Sequence, residues 1–333
     1  MKRFELIPSD EWFDYDLKIT LKPCYRCNQC CWYCPEYDNK SNMWTLQQCN
    51  QVIETLQDIP EDKENVFIYF YGGEPTLSKY WEYLHFELSS RLADRNIFFQ
   101  TQTNMSINKT RLEDFLKSFR EKTPENHNID ICNSYHLGKQ SVDSYIEKMT
   151  VCDKYDSLGL CFFSTEIPKE EQFIREFTSI ADIFPDRLKL KFTVLPQLKL
   201  RYKHTYGHLF NDEYLMGTDN GEYIEYRYFM RKYPYLEEYL EESWNFNVDG
   251  VEKNYVDVIN EKIYTKFKYT RCTAGSKGIV IDHNQKVYHC NDDFENNINI
   301  TPLAEVDMST YLSRDSICLN CQCWDGLDFV KYK

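Results

Sequence analysis

Between Cys24 and Pro35 the chain reads CYRCNQCCWYCP, five cysteines in eleven positions. That density exceeds anything core packing asks for, and thiolates this close together are ligands for soft metals, iron–sulfur clusters above all. Two spacings compete. Cys24, Cys27, Cys30 and Cys34 before Pro35 spell C-x2-C-x2-C-x3-C-P, four thiolates around a closed cluster. Cys27, Cys31 and Cys34 spell C-x3-C-x2-C, three thiolates that leave one iron of a four-iron cluster open. A closed cluster only passes electrons. An open iron takes the amino and carboxylate groups of an amino acid, much as a catalytic zinc keeps an open position. The local spelling leaves the choice open.

A second group of cysteines lies at the other end of the chain. Cys272 opens the run CTAGSKGIVIDHNQKVYHC, which closes at Cys290, and CLNCQCW supplies Cys318, Cys321 and Cys323. Four thiolates with a C-x2-C pair suit a second cluster or a tetrahedral zinc. The remaining Cys49, Cys132, Cys152 and Cys161 are scattered and read as small buried apolar residues. Fourteen cysteines without a secretory leader point to metal or redox chemistry rather than disulfides. The start, MKRFELIPSDEWFDYD, has no apolar signal core, and no run of 18 apolar residues occurs; the expectation is a cytoplasmic protein without a membrane partner. With 39 Lys and Arg against 53 Asp and Glu, the formal charge is −14. That argues against a nucleic-acid partner, which needs a basic footprint.

The elements that must hold these residues follow from periodicity. Leu17, Ile19 and Leu21 alternate in a strand over 15–23 that runs into the cysteine loop. Thr45 and Gln48 spell a capping box for a helix to about Asp58. The aromatic run 65–71 suits a buried strand and ends at Gly72-Gly73-Glu74-Pro75. Helices are expected over 78–94, 109–122, 140–155 and from Pro168 to about Ile183, with strands over 96–102, 128–133, 158–164 and 187–195. The series implies a parallel sheet covered by helices, an α/β fold. Six units over about 180 residues fall short of the roughly 250 of a full eight-unit barrel, so the sheet is an incomplete (β/α)6 barrel or an open doubly wound one. Either architecture works at the C-terminal strand ends. The cysteine loop, the Gly-Gly-Glu-Pro turn, Thr103-Asn104 and Ser134-Tyr135-His136 are all expected there, just after strands. The pattern breaks over 201–271, dense in tyrosine and charge, with a helix expected near 222–243. Two strands, 278–282 and 286–289, then form a hairpin with a cysteine at each end. The domains expected are a barrel over 1–200, a bridging segment over 201–271 and a cysteine-rich unit over 272–333.

The C-x3-C-x2-C loop after a first strand, with YGGEP after the second, resembles the radical S-adenosylmethionine (SAM) superfamily. The cysteine hairpin with a terminal C-x2-C resembles its SPASM and twitch auxiliary-cluster domains. A ferredoxin run explains neither the Gly-Gly-Glu-Pro turn nor the six βα units, and its fourth cysteine normally serves a second cluster. The resemblance implies a [4Fe–4S] cluster on Cys27, Cys31 and Cys34 that binds SAM, cleaves it by one electron and yields a 5′-deoxyadenosyl radical, which takes a hydrogen atom from substrate. It implies SAM contacts from Gly72, Gly73 and Glu74, with Tyr33 near the adenine. It extends to Thr103-Asn104, where Met105 stands in place of the usual glycine, and to Ser134 and His136. It implies one auxiliary [4Fe–4S] cluster on Cys272, Cys290, Cys318 and Cys321, with Cys323 as spare; Gln285 occupies the position where that hairpin usually carries glycine. Relatives of this build mostly modify peptides, which favours a peptide maturase fed by a flavodoxin or ferredoxin-type reductant. With about 15 residues before its first strand, either a separate protein supplies peptide recognition, or the substrate is small or tethered elsewhere. Alternatives are a small metabolite, nucleoside or modified base as substrate, and, in another class, a non-catalytic ferredoxin-like electron carrier. No residue is identifiable as the acid, the base or a second hydrogen donor.

Overall fold

The computed structural model describes residues 3–7, 14–29, 43–165, 170–192, 232–239, 245–254, 269, 271–313, 315–317 and 331–332. A short strand β1 (Arg3–Ile7) precedes β2 (Leu17–Cys24). The chain then alternates through α1 (Leu46–Leu56), β3 (Asn65–Gly72), α2 (Trp81–Arg91), β4 (Asn96–Thr103) and α3 (Lys109–Lys122). It continues through β5 (His127–His136), α4 (Val142–Lys154), β6 (Leu158–Thr165), α5 (Glu170–Ala181) and β7 (Leu188–Phe192). The capping box at α1 is present: Gln48 N donates to Thr45 Oγ1 at 3.3 Å, and Thr45 N to Gln48 Oε1 at 2.9 Å. Asn108 caps α3 from one side only, its Oδ1 accepting from Thr110 N and Arg111 N.

β2 to β7 lie side by side in chain order and all parallel. This is the expected α/β fold. Among the described residues the sheet stays open. Three further strands extend it beyond β2, in the order β13 (Thr301–Pro302), β12 (Lys286–Tyr288), β11 (Gly278–Ile281). β11 pairs parallel with β2, Ile279 opposite Ile19. The cysteine hairpin therefore adds its strands directly to the main sheet. A second, antiparallel sheet runs β14 (Ser316–Ile317), β10 (Arg271–Cys272), β15 (Lys331–Tyr332), β1, β8 (Asn245–Val248), β9 (Val251–Asn254). Short helices α6 (Ala274–Lys277), α7 (Asn291–Asn296) and α8 (Met308–Tyr311) fill the C-terminal part.

Two expectations need revision. The strand expected over 128–133 continues to His136, so Ser134, Tyr135 and His136 are strand residues. Pairing with β6 carries on through Ser134–Phe162 and His136–Ser164, and the Tyr135 hydroxyl is anchored on Glu176 at 2.6 Å. Of the helix expected near 222–243, the described part Pro234–Tyr239 is a 3-10 helix; the remainder, apart from 232–233, lies outside the described residues.

The two faces of the sheet differ in character, because successive strand side chains alternate. Val66, Ile68 and Phe70 of β3 and Ile97, Phe99 and Thr101 of β4 are buried against the helices. There His85 stacks on Phe70 at 4.1 Å, and Trp81 donates its indole N–H to Thr101 Oγ1. Burial holds His85 neutral, pushing its pKa down to about 3. The opposite face carries half-buried Phe67, Tyr69, Tyr71, Phe98, Gln100 and Gln102. Its rings form a ladder, Phe67 to Tyr69 at 6.1 Å and Tyr69 to Tyr71 at 5.5 Å. This inner face leads up to the cysteine loop.

Candidate metal and cofactor site

β2 delivers the chain to the cysteine loop, and here the two spacings part. Cys24 is the last residue of β2, fully buried, paired with Gly72 on one side and bridged to Met43 on the other. Its thiol donates to Arg26 O at 3.3 Å, and burial pushes its pKa up to about 11. Cys27 stands three residues on, outside the strand and half-buried. Its sulfur accepts from Gln29 N at 3.4 Å and from Asn104 Nδ2 at 3.5 Å, contacts that suit a thiolate. Cys30, Cys31, Tyr33 and Cys34 lie outside the described residues.

Gly72 and Gly73 are glycines for a reason the coordinates make plain. Gly72 has φ +131°, and a Cβ there would sit 2.5 Å from Cys24 O. A Cβ on Gly73 would lie 2.4 Å from Tyr25 O and 2.7 Å from Arg26 O. The backbone closes that gap: Gly73 N donates to Cys24 O and Glu74 N to Arg26 O, both at 2.9 Å. The close approach the glycines allow is thus to the first turn of the cysteine loop.

Glu74 is fully buried and saturated. Its Oε1 accepts from Thr76 Oγ1 at 2.5 Å, Thr103 Oγ1 at 2.7 Å and Thr76 N at 3.2 Å; its Oε2 accepts from Asn104 N at 2.6 Å. Burial pushes its carboxyl above the usual range, and these donors pull it back. The side chain ties the end of β3 to the end of β4. Thr103 has both hydrogen-bonding roles filled within the fold, since its hydroxyl also accepts from Met105 N at 3.0 Å.

Asn104 is the hub. Its Nδ2 reaches Asn28 Oδ1 at 3.1 Å as well as Cys27, and its carbonyl accepts from Gln140 Nε2 at 2.9 Å. Met105 takes the left-handed conformation, φ +56°, that a glycine would adopt freely. The turn survives the substitution because the side chain is fully buried and Lys148 Nζ grips the Met105 carbonyl at 2.6 Å. On β5, Ser134 Oγ accepts from Gln102 Nε2 at 3.0 Å. His136 follows two residues later on the same face, its pKa lowered to about 4 by burial. Cys27, Gly72–Glu74, Thr103, Asn104, Ser134 and His136 thus share the C-terminal edge of four adjacent strands.

Residues 21–157 match the Radical SAM superfamily model. Over this stretch the chain is similar to radical SAM domains. Solved structures agree on the fold. Native anSMEcpe with bound AdoMet and Cp18Cys peptide superposes with TM-score 0.54 at 13% identity, over 89% of this chain and 79% of that one. Native anSMEcpe with bound AdoMet and Kp18Cys peptide gives 0.53 at 14% identity, over 90% and 80%. The comparison with curated proteins gives no match. Proteins of the radical SAM family use a [4Fe–4S] cluster and SAM. Among the described residues no three His, Cys, Asp or Glu side chains meet as a metal site, and no helix is long and apolar enough to cross a membrane.

Several residues around the cysteine loop carry no signal that the sequence alone exposes. Asn28 accepts from both Asn104 Nδ2 and Ser106 Oγ, the latter at 3.1 Å. Gln140 and Lys148 arrive from the α4 region and carry no local signal. Thr76 could have been suspected, since Glu74-Pro75-Thr76 opens a 3-10 helix in which Glu74 caps Thr76 N.

The second group of cysteines lies at the opposite edge of the sheet. β11 runs parallel to β2 starting level with Lys18, and Cys272 precedes it by α6. β12 returns antiparallel, so Cys290, two residues past its end, also comes back to the level where β2 begins. β14 pairs Ser316 with Cys272 and Ile317 with Arg271, and so starts beside Cys272. Cys318, Cys321 and Cys323 lie outside the described residues; Cys318 directly follows β14. Cys272 and Cys290 are buried, at 5% and 9% exposure. Between this edge and Cys24 lie six residues of β2, about 20 Å of strand. Cys49, Cys132, Cys152 and Cys161 are buried in the core.

Proposed function

We propose that this chain is a radical SAM enzyme in which Cys27, Cys31 and Cys34 hold the SAM-binding cluster. The observation that carries the assignment is the contrast between Cys24 and Cys27. Cys24 is enclosed within β2 and held on both flanks, whereas Cys27 stands on the loop with its sulfur accepting from Gln29 N and Asn104 Nδ2. That favours C-x3-C-x2-C over the four-cysteine ferredoxin spacing. When bound, the cluster and SAM supply one electron and a 5′-deoxyadenosyl group able to take a hydrogen atom from substrate. The chain's own part is placement. Glu74 fixes Asn104 relative to β3, and Asn104 fixes Cys27. Gly72 and Gly73 hold the loop start against the sheet. Ser134 and His136 would contact SAM's ribose or carboxylate, with Tyr33 near the adenine.

Cys272, Cys290, Cys318 and Cys321 are proposed to hold an auxiliary [4Fe–4S] cluster, with Cys323 in reserve. Support comes from the topology, which returns Cys272, Cys290 and the start of β14 to one edge of the sheet. The substrate would then lie along the aromatic inner face between the two sites. A peptide is the favoured class, on the combination of barrel and cysteine hairpin; a small metabolite, nucleoside or modified base is the second reading. A flavodoxin or ferredoxin-type protein would reduce the enzyme, and a separate protein would deliver a peptide substrate.

The test uses anaerobically reconstituted protein. About eight irons per chain, as two four-iron clusters require, are expected, with 5′-deoxyadenosine appearing after SAM and dithionite are added. Cys31→Ala should abolish that product and Cys30→Ala should not. Iron without any SAM cleavage under strong reductant would make the chain an electron carrier instead.

A further inference from the structure

Three buried polar atoms gather around Cys290 with no hydrogen-bond partner: His289 Nδ1, Asn291 Oδ1 and Tyr311 Oη. They come from two elements. His289 and Asn291 flank the cysteine in sequence, and Tyr311 closes α8. The His289 ring stacks on Tyr311 with centroids 4.5 Å apart and planes at 25°, and Cys290 is among the groups whose charge acts on the Tyr311 hydroxyl. Nearby polar groups are satisfied in the ordinary way. The Tyr288 hydroxyl bonds Asp282 Oδ2 at 3.3 Å, and Asp293 Oδ2 accepts from Asn299 Nδ2 at 2.9 Å. Orphaned donors are rare in folded proteins, and each needs an explanation. A cavity of about 10 Å³ between Lys18, Thr20, His289 and Asn291 has room for one water at most.

We propose that His289 and Tyr311 are positioning residues for the auxiliary cluster, donating hydrogen bonds to sulfur atoms on and around Cys290. Tyr311 donates its hydroxyl and His289 its ring N–H in the Nδ1–H tautomer; a half-turn of the Asn291 amide presents its NH2 as a third donor. The inference rests on the proposed auxiliary cluster. Hydrogen bonds to cluster sulfurs stabilise the more negative, reduced state and so raise the reduction potential. The chain would thus tune its auxiliary cluster upward, favouring acceptance of an electron from the substrate side of the sheet.

The test isolates that cluster in full-length, reconstituted protein carrying Cys27→Ala, Cys31→Ala and Cys34→Ala, and follows its reduction by electron paramagnetic resonance at set potentials. Tyr311→Phe is expected to move the oxidised-to-reduced ratio about tenfold toward oxidised, a drop of about 59 mV for a one-electron couple. His289→Leu should shift the ratio in the same direction, and Tyr288→Phe, whose hydroxyl is already paired, should leave it unchanged. If Tyr311→Phe fails to fold by circular dichroism, His289→Leu decides alone. Variants that keep full iron and an unchanged ratio would overturn the proposal, leaving a trapped water as the partner of the orphaned atoms. Failure of the underlying reading looks different: the triple variant would then hold zinc or no metal at all.

Discussion

The two edges of the main sheet are built on opposite terms. At the edge bearing Cys27, the polar groups of the Gly-Gly-Glu turn and the β4 end satisfy one another through Glu74, Thr76, Thr103 and Asn104 before any ligand arrives. At the edge bearing Cys290, among the described residues, three polar atoms are buried with nothing to bond. The first edge is assembled by the fold itself; at the second, His289 Nδ1, Asn291 Oδ1 and Tyr311 Oη are left without a partner. They are also joined. Phe294 of α7, four residues past Cys290, lies with its ring 3.8 Å from Lys22 Nζ and 6.2 Å from the Tyr25 ring, at the root of the cysteine loop.

The comparison breaks first at Glu74 if it is mistaken. Glu74→Ala leaves the donors of Thr76, Thr103 and Asn104 unpaired in the interior. The expected loss is about 3–5 kcal/mol of stability in denaturant titration, since each buried donor left unpaired costs about 1–3 kcal/mol. A loss within 0.5 kcal/mol, the scale typical of surface sites, would show that the edge is not held by this carboxylate.

Acid should loosen the helix-covered core beneath the same edge. His85 is neutral when folded, with its pKa near 3 against about 6.5 in an unfolded chain. The unfolded state therefore binds a proton first as pH falls. His85's contribution is intact above about 6.5 and is lost toward pH 3, at up to about 1.4 kcal/mol per pH unit. His85→Leu should flatten that slope in denaturation curves measured across pH 4–7, a range chosen about the ordinary histidine value; an unaltered slope would assign it to other groups.

A pair of glycines sharpens the distinction between a packed turn and a free one. Gly73→Ala drives a Cβ into the Tyr25 and Arg26 carbonyls, and should cost about 2–3 kcal/mol and weaken iron retention. Gly250→Ala, at φ +90° with nothing within 4 Å, should cost about 1 kcal/mol and leave iron unchanged. Equal costs would mean that the close approach at Gly73 is not what holds the loop. The smallest effect is expected for Cys24→Ala, about 1 kcal/mol with iron content unaltered; loss of a full cluster would restore the four-cysteine spacing.

Much of this site was legible because its residues lie where parallel strands end. Periodicity at Leu17, Ile19 and Leu21 and in the run 65–71 placed β2 and β3, and the turn after each then fell on one edge. The functions inside the turn were less legible. Glu74 reads as a ligand-facing carboxylate until Thr103 and Asn104, about 30 residues on, are seen to saturate it. Lys148 and Gln140 act on the carbonyls of Met105 and Asn104 from the α4 region, and no local pattern marks such reach. The second sheet was missed for a related reason: β1 pairs Phe4 with Val248 and Lys331, contacts that join three distant parts of the chain. The Asp249-Gly250 hairpin turn was a readable signal, hidden within a segment whose tyrosines and charges drew attention elsewhere.

The measurement that bears most directly on the account is electron paramagnetic resonance of the reduced, reconstituted protein with and without SAM. Two cluster signals are expected, of which SAM perturbs one. That perturbation should disappear in Cys31→Ala and persist in Cys290→Ala. Its survival in Cys31→Ala, or its loss in Cys24→Ala or Cys30→Ala, would contradict the assignment of the open iron to Cys27, Cys31 and Cys34.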